Sequence, residues 1–99
     1  MRAHITVNHE QLADFCRRHH IRTLAFFGSV LRDDFRPDSD VDVLIEFEPA
    51  HVPGLLRLMT MQLEFSELIG RAADFRTPRD LGLHFRDRVV AEAEVLYAA

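Results

Sequence analysis

The run Ile21-Arg22-Thr23-Leu24-Ala25-Phe26-Phe27-Gly28-Ser29-Val30-Leu31-Arg32, followed after a short polar stretch by Ser39-Asp40-Val41-Asp42-Val43-Leu44-Ile45-Glu46-Phe47, decides how this chain is read. Ile21 to Phe27 is apolar enough to be a strand, and Gly28-Ser29 turns the chain sharply out of it into a short helix carrying Val30, Leu31 and Arg32. Val41 to Phe47 predicts a second strand. Successive side chains of a strand point to opposite faces. Val41, Val43, Ile45 and Phe47 therefore share one face, and Asp40, Asp42, Leu44 and Glu46 share the other. This alternation suits a sheet packed on helices on one side and at least partly open on the other.

The flanks extend the pattern. Asn8 is placed to cap a helix, with Gln11 three residues on in a box-like position. That helix would bury Leu12, Phe15 and Cys16 and end near Arg18 to His20. Asp33 to Ser39 reads as a polar loop interrupted by Pro37. Pro53 and Gly54 open a long helix to about Ile69, which Gly70 stops. Its many leucines, methionines and Phe65 exceed one narrow stripe, so it is either well buried or turned on one side toward a partner. Ala72 to Arg76 reads as a third strand and Pro78 as the start of a turn or short helical piece. Phe85, Val89, Ala93, Leu96 and Tyr97 stand at helical spacing, which predicts a final helix from Phe85 to Tyr97. The order α-β-α-β-α-β-α gives an α/β (α+β) class: a small mixed sheet flanked by helices.

With 99 residues, the expectation is a single domain over 1–99. Hydrophobic residues make up 47% and charged residues 28%, ordinary for a globular chain. Twelve basic and sixteen acidic residues leave a net charge of −4, which argues against direct nucleic-acid binding. Cys16 is the only cysteine, so no intrachain disulfide can form. Met1-Arg2-Ala3-His4 lacks a signal-peptide pattern, and no apolar run nears the roughly 20 residues of a membrane span. A cytoplasmic protein is expected.

The chemistry gathers around the opening motif. Two carboxylates on one strand face, beside backbone N–H groups at a helix start, make a site for Mg²⁺ and a nucleoside triphosphate. Nucleotidyl transfer needs a grip on the triphosphate, one or two divalent ions and an acceptor hydroxyl in line with the α-phosphorus. Asp40 and Asp42 meet the carboxylate demand. Gly28 lets backbone approach phosphate without a side chain in the way. Ser29 adds a hydroxyl, and Arg32, three residues on, can hold a phosphate or the leaving pyrophosphate. Asp74, between Ala73 and Phe75, would complete a catalytic set and could act as base toward the acceptor hydroxyl. Taken singly, each has a plainer reading. A Gly-Ser turn is common, Asp40 can simply end a loop, Arg32 can be solvated, and Asp74 can pair with Arg76 or Arg71. Asp42 inside an apolar strand is harder to explain away, and the joint order and spacing favour the nucleotide site.

Gly28-Ser29-x-x-Arg32 with Ser39-Asp40-x-Asp42-x-Leu44-Ile45 resembles the signature of the DNA polymerase β-like nucleotidyltransferase superfamily. The short length, Asp74-Phe75-Arg76-Thr77-Pro78 and the tail Ala91 to Tyr97 resemble its minimal nucleotidyltransferase (MNT) group. The likeness runs from about Ile21 to Tyr97. It implies a nucleotidyltransferase palm fold, with Asp40, Asp42 and Asp74 as metal carboxylates and Gly28 and Ser29 on the nucleotide phosphates. Members of the group are often encoded beside a small helical HEPN protein, a toxin ribonuclease for which the MNT protein is the antitoxin. Some transfer AMP from ATP to a tyrosine of that toxin. One departure is Asp33-Asp34 after Arg32, where many relatives carry a small residue; it adds negative charge on the phosphate side.

The resulting expectation is an ATP- and Mg²⁺-dependent transferase that adenylylates a HEPN-type toxin and silences it, in a homo- or hetero-oligomer. The alternative is a non-catalytic antitoxin acting by binding and occlusion. The acceptor would be held at the apolar helix 54–69, with Met61 or Phe65 as test positions for charged substitutions. Cys16 reads as core. His19-His20 and His4 read as solvated surface residues, and His51 and His84 take no assignment.

Overall fold

In the computed structural model, which describes residues 5–32, 36 and 39–99, Asn8 caps the first helix as its chemistry requires. Its Oδ1 accepts from the Gln11 backbone N–H at 3.0 Å. Helix α1 (His9–Arg18) presents Leu12, Phe15 and Cys16 inward. Burial pushes the Cys16 thiol up to about 12, against a small opposing pull from Arg17, so the thiol is inert packing. Strand β1 (Ile21–Phe27) leads into a 3-10 turn, Gly28–Leu31, and strand β2 (Val41–Phe47) follows. A second 3-10 turn, Pro49–His51, precedes helix α2 (Leu55–Ile69). Gly70 ends α2 at φ +72°, the left-handed conformation in which Gly carries no Cβ penalty. Strand β3 (Ala73–Arg76), the turn Pro78–Asp80, helix α3 (Leu83–Glu92) and strand β4 (Glu94–Ala98) complete the chain.

The sheet order is β3-β2-β1-β4. β1 runs antiparallel to both β2 and β4, and β2 runs parallel to β3 across the α2 connection. The core lies on one face, where Leu24, Phe26, Val41, Val43 and Ile45 meet Phe15 of α1 and Met61 and Phe65 of α2. Phe65 is its hub, with ring centroids 5.5 Å from Phe15, 6.4 Å from Phe26 and 5.6 Å from Phe75. Arg18 and His19, at the end of α1, both reach Glu64 of α2. The outer edge of β3 is closed by α2: Phe75 N–H donates to Gln62 Oε1 at 2.8 Å and Ala73 N–H to Ser66 Oγ at 2.9 Å. An edge strand so covered offers no free ladder. It also locks β3 in the register that sets Asp74 beside Asp42.

Three expectations change. The final helix stops at Glu92, not Tyr97, and 94–98 form a strand. Helical spacing persists through Leu96 and Tyr97. Yet β1 has a free edge on that side, and its ladder to Ala98, Tyr97, Val95 and Glu94 satisfies backbone groups that a longer helix would leave bare. The element after Gly28 is one 3-10 turn rather than a helix, held by buried Val30 and Leu31. The apolar excess of α2 faces outward: Leu55 is 73% exposed, Leu56 82%, Met59 53% and Leu63 68%, whereas Met61 and Phe65 are 1% and 0%. Charges at Met61 or Phe65 would therefore break the core, and those two positions cannot report on a partner. Among the described residues, no helix is long and apolar enough to cross a membrane.

Candidate nucleotide and metal site

β1 and β2 are paired up to Phe27 opposite Asp42, so the turn at Gly28 leaves the sheet directly beside the Asp42 carboxylate. Gly28 has φ +75°. A Cβ placed there would collide with Asp42 Oδ2, with Cγ 3.3 Å and Cβ 3.5 Å away. Glycine is thus required by conformation, and any side chain there would also push the Asp42 carboxylate from its place. The backbone of Ser29 follows in the same turn, but its side chain lies outside the described part, as do Asp33 and Asp34. Because the turn is four residues long, no helix macrodipole backs it, unlike the helix start expected from the sequence.

The parallel ladder sets Asp42 against Asp74, with Val41 against Ala73 and Val43 against Phe75. Paired residues on parallel strands share a face, so the two carboxylates look out from the open side together. Asp40 stands two residues before Asp42 at the mouth of β2, exposed. Its approach is tied down by Arg71, whose Nη2 donates to the carbonyls of Arg36 at 2.9 Å and Ser39 at 2.8 Å. Val41 N–H donates to Ala72 O at 2.8 Å at the same entrance.

Asp42 is half-buried, and its carboxyl is held above the usual carboxylate range. Burial is the main cause and the Asp74 charge the next, with Asp40 adding to them; Arg76 and Arg32 pull the other way. Arg32, exposed at the end of the turn, is thus within electrostatic reach of Asp42. Asp74 is paired with Arg76, not with Arg71. It is half-exposed, and Arg76 grips its Oδ2 through Nε at 3.2 Å and Nη2 at 3.1 Å. Arg76 stands two residues on, on the same face, which is the spacing that could have singled it out over Arg71.

The three aspartates form an all-oxygen, negatively charged set. Their mutual repulsion is visible at Asp42, and a hard divalent cation would relieve it, so the residues fit such an ion. They do not close into one tight knot. Among the described residues, the three ligating groups that come within 4.8 Å of one another are His20, Glu48 and His51. Sequence reading missed this second cluster, because its members come from separate turns. It also misjudged His19, which is largely buried and bonded to Glu64 at 3.1 Å. His4 lies outside the described residues, and so does the side chain of His84.

Comparison with known proteins gives the family and the fold. The sequence profile of the nucleotidyltransferase domain matches residues 9–96. A chain of Methanocaldococcus jannaschii described as a protein adenylyltransferase, MJ0435, is 30% identical over 76 residues, covering 77% of this chain and 80% of the relative. A solved structure described as a minimal nucleotidyltransferase superposes with a TM-score of 0.70 at 34% identity, covering 86% of this chain and 85% of the other. A crystal structure of a toxin–antitoxin with AMP-PNP superposes with a TM-score of 0.72 at 15% identity, over 94% of this chain and 75% of that one, which is a likeness of fold.

Proposed function

The chain belongs to the nucleotidyltransferase domain family, and from that premise we propose that it transfers AMP from ATP, with Mg²⁺, to a hydroxyl of a partner protein, a HEPN-type toxin that it thereby silences. The observation carrying this reading is the pairing of Asp42 with Asp74 across β2 and β3, with Asp40 at the strand mouth and Gly28 against the Asp42 carboxylate. The description of MJ0435 as a protein adenylyltransferase supports AMP as the group moved and protein as the acceptor. The toxin–antitoxin neighbour with AMP-PNP supports the kind of partner and the nucleotide.

In this reading Asp40, Asp42 and Asp74 hold the cation, and Gly28, Ser29 and Arg32 hold the phosphates. When bound, Mg²⁺ supplies neutralising charge for the oxygens on both sides of the α-phosphorus. Arg32 steadies the pyrophosphate as the α–β anhydride bond breaks. Asp74 takes the proton from the attacking hydroxyl, and Arg76 keeps that carboxylate oriented. The acceptor protein docks on the exposed α2 stripe Leu55, Leu56, Met59 and Leu63, whose i, i+1, i+4 and i+8 spacing makes one apolar face.

Intact mass of this protein and the protein encoded beside it, after incubation with ATP and Mg²⁺, tests the proposal. A partner gain of one or more AMP units is expected. No gain, with a tight complex and a silenced toxin, would identify the occluding antitoxin instead. The docking face has its own test. Leu56→Glu and Met59→Glu should weaken capture of the partner in a pull-down while changing stability by less than about 0.5 kcal/mol. Phe65→Ala should lose about 3–5 kcal/mol in a denaturant melt, as a core truncation does. Undiminished capture by both glutamate variants would remove α2 from the interface.

A further inference from the structure

Away from the aspartates, backbone hydrogen bonding gathers a second set of metal-capable groups. β1 and β2 end their ladder at Ile21 opposite Phe47. Just beyond it, Glu48 N–H donates to His20 O at 3.0 Å, which clamps these two residues across the gap. His20 sits at φ +56°, a left-handed position that His tolerates better than most residues. The chain then folds back: His51 N–H donates to Glu48 O at 2.8 Å within the turn Pro49–His51. This lays the His51 ring on that of His20, with centroids 3.7 Å apart and planes 9° from parallel. Glu48 Oε2 lies 3.7 Å from His20 Nδ1. One ligand atom from each of the three residues lies within 4.8 Å of the others. The two histidines border a hollow of about 200 Å³ that His19, Val52, Pro53 and Arg57 also line.

We propose that His20, Glu48 and His51 bind a borderline transition-metal ion of the Zn²⁺ class, at a site separate from the nucleotide pocket. Two imidazoles and one carboxylate form a donor set that suits Zn²⁺, Ni²⁺ or Cu²⁺, whereas the all-oxygen aspartates suit Mg²⁺. With the His51 ring turned out of its stack on His20, so that both in-plane lone pairs meet at the ion, three protein ligands leave one coordination position free. Arg57 at the rim of the hollow suits water or an anion in that position. The two sites lie at opposite ends of β1 and β2, about 20 Å apart along seven-residue strands. The ion would staple the α1–β1 turn to the segment that leads into α2, whose exposed apolar residues begin at Val52 and Leu55.

The test is calorimetric titration of untagged protein with Zn²⁺ in excess Mg²⁺, comparing the natural chain with His51→Ala, His20→Asn and Asp42→Asn. Asn is chosen because it accepts the left-handed backbone of His20, and circular dichroism verifies that each variant is folded. One Zn²⁺ per chain is expected. His51→Ala and His20→Asn should each weaken it roughly tenfold or more, at least the loss seen when only an outer-shell partner is removed. Asp42→Asn should leave it within twofold. Co²⁺ should give visible d–d bands that His51→Ala abolishes. The proposal is overturned by no saturable Zn²⁺ binding, by unchanged affinity in His51→Ala, or by loss confined to Asp42→Asn.

Discussion

Asp42→Asn is expected to lower AMP transfer by roughly 10³-fold or more while raising the melting temperature by a few degrees at neutral pH. Both effects come from one carboxylate. On the proposed reading, removing it takes a charged ligand from the centre of the aspartate set, where charge on the transferring phosphate would be met. The same carboxylate is half-buried and faces Asp74 and Asp40, so its ionised form is disfavoured in the folded chain. The sign follows from linkage. A carboxyl whose folded pKa is raised holds its proton more tightly when folded than when unfolded. Stability therefore falls as pH rises from the ordinary aspartate value through the raised one, and the penalty is fully present above that window. Asparagine cannot ionise and escapes it. The advantage of the variant in a thermal melt should shrink on acidification through that window and vanish below it. Functional sites commonly hold such destabilising groups. Initial rates of AMP incorporation, with melts at neutral and acid pH, test both arms. A variant that keeps its activity removes Asp42 from the chemistry; one that melts lower at pH 7 refutes the electrostatic account.

Gly28→Ala carries the second large effect. The residue is at φ +75°, and a Cβ there would collide with Asp42 Oδ2, the tip of a side chain that must turn aside to admit it. The left-handed backbone alone costs an L-residue about 1–2 kcal/mol. Relief of the collision must displace the Asp42 carboxylate, and a shift of about 1 Å in a reacting group can cost 10²-fold in rate. Gly28→Ala should therefore lose at least that factor in transfer rate and also melt several degrees lower. Gly70→Ala isolates the backbone cost. Gly70 sits at φ +72° with nothing within 4 Å of where an alanine methyl would stand, so its variant should melt lower yet transfer AMP at close to the natural rate. Equal rates in the two alanine variants would show that the contact between Gly28 and Asp42 is not used in catalysis.

These effects rest on features that were legible in the chain to different degrees. The Asn8 cap, both ends of β1 and β2 and the stop at Gly70 all follow from chemistry within a few residues, through caps, period-2 alternation and a left-handed glycine. The strand 94–98 was not legible, because its local spacing suits a helix and the free edge of β1 that claims it lies some seventy residues earlier in the chain. The direction in which α2 turns its apolar surplus was open for the same reason. A helix rich in leucine on several sides does not itself say which side the sheet will take.

The sequence by itself determined the element types around the motif, the class of sheet and the acidic residues on its open face, because each depends on neighbours close along the chain. Only the tertiary structure decided that Asp74 lies in register with Asp42 and in the grip of Arg76, and that the Asp42 carboxylate rests on Gly28. It alone decided that His20, Glu48 and His51 converge, and that Met61 and Phe65 are core while Leu56 and Met59 face outward. These are contacts between distant segments. They are set by strand register and by which apolar faces bury one another, and both are settled by the packing of the whole chain rather than by any local run of residues.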